Sequence, residues 1–147
     1  MGNIEGVLLT PLRLIKGESG EVMHALKRYE ESFHGFGEAY FSTVHLQAVK
    51  GWKKHRGMIL NVIVPLGVIK FVLYDDRPGS NSYHTIQEII LSLENYQRLT
   101  VPPGIWMAFQ GLGENNILLN IANIPHDPLE ADNLPIHNEL IPYEGFI

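Results

Sequence analysis

The chain has 147 residues, of which 45% are hydrophobic and 18% charged, and its 11 basic against 16 acidic residues give a net charge of -5 at pH 7. These values are typical of one globular domain, residues 1–147, and exclude disordered, collagen-like and coiled-coil proteins. The acidic balance argues against a nucleic-acid or anionic-membrane partner, and the lack of cysteine excludes disulfides, thiolate catalysis and cysteine-based zinc sites.

Short β-type segments follow one another along the chain and are separated by turn residues. Strands are predicted at residues 7–15, 21–26, 38–49, 58–64, 68–74, 84–91, 96–101, 105–109 and 117–121. Residues 27–33 are the best helical candidate but span barely two turns, so they are predicted as a short surface helix or an irregular loop. Nine or ten strands without βαβ alternation predict an all-β sandwich, jelly roll or barrel.

Local patterns refine this prediction. Residues 65–67 (Pro-Leu-Gly) predict a tight turn that joins 58–64 and 68–74 into a hairpin. Alternation along 38–43 places Glu38, Tyr40 and Ser42 on one face. The tail after Pro125 is predicted to run over the surface. No apolar run approaches the ~20 residues of a membrane span. Residues 1–6 lack a secretory-signal pattern, so we expect a cytoplasmic protein without a membrane partner.

Three stretches resemble the dTDP-4-dehydrorhamnose 3,5-epimerase family of the cupin superfamily. Residues 50–55 (Lys-Gly-Trp-Lys-Lys-His) are similar to its Arg-Gly-Leu-His-Tyr-Gln, residues 74–80 (Tyr-Asp-Asp-Arg-Pro-Gly-Ser) to its Val-Asp-x-Arg-x-x-Ser, and residues 101–109 (Val-Pro-Pro-Gly-Ile-Trp-Met-Ala-Phe) to its Ile-Pro-x-Gly-Phe-Ala-His-Gly-Phe. The resemblance covers roughly residues 7–130. It implies a single-domain cupin double-stranded β-helix (jelly roll) that holds a nucleotide sugar in the barrel, and a homodimer that exchanges N-terminal strands.

Three chemical groups of that family are replaced in this chain. The catalytic histidine of the family falls on Lys53 and its second pocket histidine on Met107. The catalytic tyrosine should fall near Pro125 or His126, where the chain has no tyrosine. The scaffold motifs therefore persist around a changed set of reactive side chains.

Other positions bring new groups to the site that the resemblance implies. A glutamine and an asparagine of the family become Glu38 and Tyr40, which would place a carboxylate and a phenol in the barrel. The related dTDP-sugar 3,4-ketoisomerases carry Arg-Gly-x-His-x-His, in which His55 matches the second histidine and Lys53 replaces the first.

A bound metal is not expected. Many cupins bind one through His-x-His, a following glutamate and a histidine in the Pro-x-Gly strand, and this chain has Lys53, His55, no suitably placed glutamate and Met107 there. One ligand cannot chelate an ion, so we expect neither a metal nor another cofactor. Of the remaining histidines, His126 is the one candidate for the site, because it adjoins Asp127 near the expected barrel mouth.

Epimerisation beside a ketone needs a base, a proton donor on the opposite face and a group that stabilises the enolate. The basic residues between positions 50 and 56 offer His55 or Lys53 as the base, although a lysine acts so only when burial and neighbouring cations lower its pKa. Tyr40 is the candidate donor. The alternative is that the basic stretch is a solvated strand edge.

The same cations could hold a diphosphate together with Arg77, although Arg77 could equally pair with Asp75 or Asp76 and fasten its turn. Trp52 and Trp106 could stack on a base or sugar, or fill the core, which is favoured for Trp52. The predicted substrate-binding residues are Lys50, Glu38, Arg77, Asn120, Trp106 and His126.

The sequence therefore indicates two alternative functions. The first is an epimerase or isomerase that removes a proton beside the ketone of a dTDP-4-keto-6-deoxyhexose, in deoxysugar or polysaccharide biosynthesis. The second is a non-catalytic cupin that binds a nucleotide sugar or a similar anion. A purely structural dimer is a weaker third.

Overall fold

The computed structural model describes residues 1–146, and its regular structure is almost entirely β-strand. Its strands are β1 (Leu8–Pro11), β2 (Leu14–Gly17), β3 (Gly20–Met23), β4 (Glu38–Thr43), β5 (Val49–His55), β6 (Leu60–Leu66), β7 (Ile69–Asp75), β8 (Ile86–Leu91), β9 (Gln97–Val101), β10 (Ile105–Gly111), β11 (Ile117–Ala122) and β12 (Ala131–Asn133). A 3₁₀ turn, Pro128–Glu130, precedes β12. No helix in this described part of the chain is long and apolar enough to cross a lipid bilayer.

Two five-stranded sheets form the body of the protein. The first has the order β1-β9-β6-β11-β4, the second has the order β12-β5-β10-β7-β8, and β2 and β3 form a separate hairpin. From β4 to β7, and again from β8 to β12, consecutive strands alternate between the two five-stranded sheets. Antiparallel strands that alternate between two packed sheets make a jelly roll, so the predicted fold class is confirmed.

Two apolar clusters stabilise the sheets. The larger lies between them and includes Val62, Phe71, Leu73 and Leu99, all at most 1% exposed. The smaller includes Trp52, Trp106 and Ile141 and lies where the C-terminal tail covers the outer face of the second sheet. Because β7 is covered on both faces, its residues 71–74 form a continuous apolar run, without the alternation of a half-exposed strand.

The predicted hairpin of residues 58–64 and 68–74 is wrong. Strands β6 and β7 follow each other in the chain but belong to different sheets. Residues 65–67 do reverse the chain, and Gly67 has φ +83° with its α-carbon hydrogen facing the backbone of Asn115, where a Cβ would come within 2.1 Å of a carbonyl oxygen. A turn signal predicts a change of direction and does not specify which strand the next segment pairs with.

The two longest predicted strands are divided or shortened in the structure. Residues 7–15 divide into β1, which pairs with β9, and β2, which pairs with β3. The run 38–49 ends as β4 at Thr43, and the loop that follows contains Gln47 in the left-handed region at φ 67°. Residues 27–33 form irregular turns, which was one of the two predicted alternatives.

Arg98 fixes the loop that contains residues 27–33. Its side chain is fully buried and donates hydrogen bonds to the Ala25 carbonyl, the Glu30 carboxylate and the Ser32 hydroxyl. The hydrogen bond from Arg98 lowers the pKa of Glu30 despite an opposing effect of burial. The hydrogen bonds of the buried Arg98 guanidinium thus hold this segment in place, although it does not form a helix.

Candidate active site

A cavity of about 210 Å³ opens between the two sheets. Buried apolar side chains of β6, β10 and β11 form much of its wall, among them Leu60, Val62 and Leu118. Its polar lining consists of Tyr40, Ser42, Lys50, Lys53, His55 and Asn120. Five of the predicted site residues therefore meet at one place, and Met107 lines the same wall as the apolar filler that was predicted.

A β-bulge in β5 brings three basic side chains into this cavity. Lys50 lies opposite Phe109 and Lys53 opposite Met107, so β5 has one more residue than β10 between these pairs. Lys50, Lys53 and His55 all line the cavity in consequence. Trp52 belongs instead to the cluster on the outer face, where its indole N–H donates to the Ile136 carbonyl, and the preferred core role of this tryptophan is confirmed.

Glycine at position 51 permits the bulge. Gly51 has φ +132°, and a Cβ on this residue would come within 2.7 Å of the Ala108 α-carbon. A side chain here would meet backbone atoms, which cannot move aside as a flexible side chain can. The close approach of β5 to β10 thus depends on the glycine.

His55 is held by Glu130. The His55 Nδ1 lies 2.6 Å from Glu130 Oε1, and Glu130 Oε2 accepts the backbone N–H groups of Gly57 and Met58 at 2.7 Å each. Burial alone would raise the pKa of the Glu130 carboxyl, but these hydrogen bonds outweigh burial and lower it. Since an ionised carboxylate can only accept, a neutral His55 ring carries its proton on Nδ1, and its Nε2 keeps a lone pair.

The position of Glu130 follows from the C-terminal segment. Asp127 caps the 3₁₀ turn by accepting the Leu129 N–H, and Glu130 ends that turn. The next residue begins β12, whose Ala131 pairs with His55. The carboxylate and the imidazole are therefore brought together by the pairing of β12 with β5.

Tyr40 and Asn120 form a second polar pair on the opposite sheet. They are register partners on β4 and β11, and Asn120 Nδ2 donates to Tyr40 Oη at 2.9 Å. Asn120 is 4% exposed. Its Oδ1 has no hydrogen-bond partner among the described residues. The phenol and the imidazole thus belong to opposite walls of one cavity.

Three predicted substrate-binding residues lie outside the cavity lining. Trp106 precedes Met107 on β10, so it faces the outer side of the second sheet, where its N–H donates to Asp76 at 3.1 Å. Glu38 is half-buried at the start of β4 and does not reach the cavity wall. His126 is exposed in the loop after β11.

Arg77 is also outside the cavity lining. Its Nε donates to Asp75 Oδ1 at 2.8 Å and its Nη2 to Asp75 Oδ2 at 2.9 Å. Burial of the Asp75 carboxyl would raise its pKa, but hydrogen bonds from Arg77, Ser82 and Ser80 hold that pKa well below its usual range. Arg77 therefore fastens the turn, which was the alternative to a diphosphate contact.

Glu130 is the functional residue that sequence reasoning missed. It is separated from His55 by 75 positions and lies in a tail that was predicted only to cover the surface. The Asp127-Pro128 pair signals a capped turn, but nothing local indicates that this turn docks beside β5. Among residues 1–146, no group of three or more His, Cys, Asp or Glu side chains is arranged to hold a metal ion.

No family model matches the sequence. The structure superposes on a solved dTDP sugar isomerase from Desulfovibrio desulfuricans G20 with a TM-score of 0.93 and 36% identity, covering 96% of this chain and 91% of that one. This chain belongs to the dTDP-sugar isomerase family. The predicted relationship to dTDP-sugar epimerases and isomerases is thereby confirmed.

Two further proteins are similar to this chain. The probable low-salt glycan biosynthesis epimerase Agl13 of Haloferax volcanii is 25% identical over 147 residues, which are 98% of this chain and 91% of that protein. The dTDP-4-dehydrorhamnose 3,5-epimerase of Bacillus anthracis, solved with TDP and pyrophosphate, has a TM-score of 0.82 at 18% identity and covers 97% of this chain and 86% of its own. At that identity the Bacillus enzyme supports the fold alone.

Proposed function

We propose that the protein is an epimerase or isomerase that removes a proton beside the ketone of a dTDP-linked 4-keto-6-deoxy sugar, in deoxysugar or polysaccharide biosynthesis. The observation that carries this proposal is His55, which lines the cavity while Glu130 holds its Nδ1 at 2.6 Å. Relatives whose names describe a dTDP sugar isomerase and a glycan biosynthesis epimerase support the substrate class.

In the proposed reaction, His55 Nε2 takes the proton from the carbon next to the ketone. The C–H electron pair forms a carbon–carbon double bond, and the carbonyl π electrons move onto oxygen, which gives an enolate. Tyr40 then donates its phenolic proton to carbon, and the carbonyl re-forms. His55 then releases the proton it took to solvent, and the Tyr40 phenolate takes a proton from solvent, which returns both groups to their starting states.

The placement of the two groups on opposing sheets favours inversion. A base on β5 and a donor on β4 would approach the sugar ring from its two faces, which is the arrangement that epimerisation requires. The pairing of Asn120 with Tyr40 supports this role because a hydrogen bond donated to the phenol oxygen stabilises the phenolate that forms when the proton leaves.

The size and lining of the cavity support a sugar as the buried part of the ligand. A volume of about 210 Å³ is below the roughly 300–1,000 Å³ of sites that enclose a whole drug-sized ligand. We therefore assign the cavity to the sugar, with its deoxy methyl group against the apolar wall and the nucleotide outside. Lys50, whose exposed ammonium donates to the Ser42 hydroxyl and the Thr43 carbonyl, is proposed to contact the diphosphate.

The test is deuterium incorporation from D₂O into a dTDP-4-keto-6-deoxyhexose, followed by NMR. We expect label at C3 or C5, and H55N should slow its incorporation by ~10² to 10⁴-fold, the usual contribution of a positioned base. H126N is the matched control, because His126 is exposed outside the cavity, and it should not change the rate. Binding of dTDP without any exchange in the wild-type protein would instead establish the non-catalytic binder.

We also propose that the protein is a homodimer. The β2–β3 hairpin is detached from both five-stranded sheets and exposes Ile15, Val22 and Met23, while β4 is an open edge of the first sheet. Addition of a hairpin to such an edge is a common mode of strand pairing between chains. Light scattering should give twice the 16.6 kDa of one chain. V22E should shift it toward the monomer, whereas I90E on the second sheet should not; a monomeric wild type would refute the proposal.

A further inference from the structure

The basic residues of β5 and its C-terminal end differ in how their charges are neutralised. Lys54 pairs with Asp76 at 2.9 Å, and Arg56 pairs with Asp132 at 2.7 Å. Glu130 contacts His55. Each of these three acids is thus already engaged by a neighbour of Lys53. The Lys53 side chain has neither an ion pair nor a hydrogen bond within residues 1–146.

The side chains of Lys53 and His55 lie on the same side of β5, toward the cavity. They are two positions apart on one strand, beyond the bulge, so they share a face at a spacing of roughly 6.5 Å along β5. Both line the cavity, and no Asp or Glu side chain of the described residues does. The cavity therefore combines an imidazole with an uncompensated ammonium, a combination that attracts an anion.

The proposed reaction creates an anion inside this cavity. Removing the proton beside the ketone places a negative charge on the carbonyl oxygen, and a fixed cation near that oxygen lowers the barrier. Lys50 is engaged by Ser42 and Thr43 and is assigned to the diphosphate. The Asn120 amide N–H is engaged by Tyr40. Lys53 is the remaining cation that lines the cavity within residues 1–146.

Lys53 is better suited to this role than to that of the base. A base needs a lone pair that a neighbouring group holds in place, and no ion pair or hydrogen bond within the described residues orients the Lys53 side chain. The Lys53 side chain is exposed at the cavity, so water reaches its ammonium. His55 already supplies a lone pair whose position is set by Glu130. The two residues thus divide the chemistry between a proton acceptor, His55, and a positive charge, Lys53.

Resting on the function proposed above, we infer that Lys53 is a catalytic residue that stabilises the enolate oxygen through its ammonium group and does not remove the proton. Lys53 thus supplies the positive charge next to the reacting ketone. It occupies the position at which the resembling epimerases carry their catalytic histidine.

The experiment compares K53M, K53R and K54M in the full-length protein. Lys54 is the matched control because it neighbours Lys53 on the same strand but is paired with Asp76 on the outer face. For each variant, deuterium exchange is measured at saturating dTDP-4-keto-6-deoxyhexose from pH 5 to pH 9, and dTDP affinity is measured by calorimetry. Circular dichroism confirms that each variant is folded.

We expect K53M to slow exchange by ~10² to 10³-fold, the effect of removing one group that stabilises an oxyanion. Its dTDP affinity should stay within a few-fold of wild type, and the pH at which exchange declines on the acid side should not move, because His55 remains the group that takes the proton. K53R should recover a large part of the rate since it keeps the charge, and K54M should resemble wild type.

Three results would overturn the inference. Weaker dTDP binding with an unchanged saturating rate in K53M would make Lys53 a phosphate ligand. Loss of the acid-side pH dependence in K53M would make it the base. Exchange in K53M equal to wild type would leave it without a catalytic role. If the wild-type protein binds dTDP but exchanges no deuterium, the proposed function itself fails. The wild-type measurement therefore separates failure of the proposed function from failure of the role assigned to Lys53.

Discussion

Replacing Glu130 by glutamine should disable the site while leaving the barrel intact. Glu130 accepts three hydrogen bonds, from His55 at 2.6 Å and from the Gly57 and Met58 N–H groups at 2.7 Å each. In E130Q the amide oxygen can take the place of Oε2 and keep both backbone donors. The amide NH₂ then faces His55 Nδ1, so that ring nitrogen must accept and the ring proton moves to Nε2.

The change in the His55 tautomer determines how much the exchange rate should fall in E130Q. With a proton on Nε2 the neutral ring has no lone pair toward the cavity, and the contribution of a positioned base, ~10² to 10⁴-fold, is lost. The structural loss is smaller. Hydrogen bonds to a charged acceptor contribute about 1 kcal/mol more than neutral ones, so the free energy of unfolding should fall by about 2 to 3 kcal/mol for the three bonds.

The stability change should depend on pH in a defined direction. The pKa of Glu130 is lowered in the folded state, so its carboxylate stabilises the fold above the unfolded-state pKa of roughly 4.3. That stabilisation is lost as the pH falls through the lower folded pKa. The difference between wild type and E130Q in urea denaturation should therefore be full at pH 7 and shrink below pH 4.

The assays are deuterium exchange, urea denaturation and ¹⁵N NMR of the His55 ring, which reports the tautomer. D132N is the matched control, because Asp132 is two residues away but forms an exposed pair with Arg56. Its effects on stability and rate should be small, as for surface ion pairs generally. An E130Q exchange rate within a few-fold of wild type would refute the assignment of His55 and Glu130 as the base and its positioning residue.

Two further variants test the scaffold around the site. R77M leaves the Asp75 carboxylate buried with only Ser80 and Ser82 as side-chain donors, so the free energy of unfolding at pH 7 should fall by about 3 to 5 kcal/mol in urea denaturation. Its dTDP affinity should be unchanged, and a large loss of affinity in folded protein would return Arg77 to the binding site. G51A places a Cβ 2.7 Å from the Ala108 α-carbon at φ +132° and should lower the melting temperature, whereas G57A, whose nearest atom is 4.0 Å away, should be tolerated. Equal stability of the two alanine variants would contradict the role given to the bulge.

The jelly roll could be predicted because most of its strands carry strong local signals. Apolar runs, turn residues and the three resembling stretches all depend on residues close together in the chain. The same locality explains the failed hairpin, since residues 65–67 specify a reversal and the sheet that receives β7 is chosen by distant contacts.

The site was predicted less completely for two physical reasons. Strict alternation would place the side chains of Lys50, Trp52 and Lys54 on one face of β5. The β-bulge places Lys50, Lys53 and His55 on the cavity side instead, and the only sequence feature that indicates this bulge is a glycine. Glu130 reaches His55 only through the pairing of β12 with β5, a contact between segments 75 positions apart. By contrast, Tyr40 and Asn120 were identified correctly as cavity residues because each lies on a regular strand.

The short strand β12 makes the reactivity of His55 sensitive to local opening of the chain. Three residues pair with β5, and the preceding turn carries the carboxylate that orients the ring. Detachment of this segment would break few contacts of the core between the sheets, so it can occur at a lower free energy than global unfolding. On warming, we expect the ring of His55 to lose its fixed orientation before the sheets separate, so heat inactivation should precede the loss of β-sheet circular dichroism.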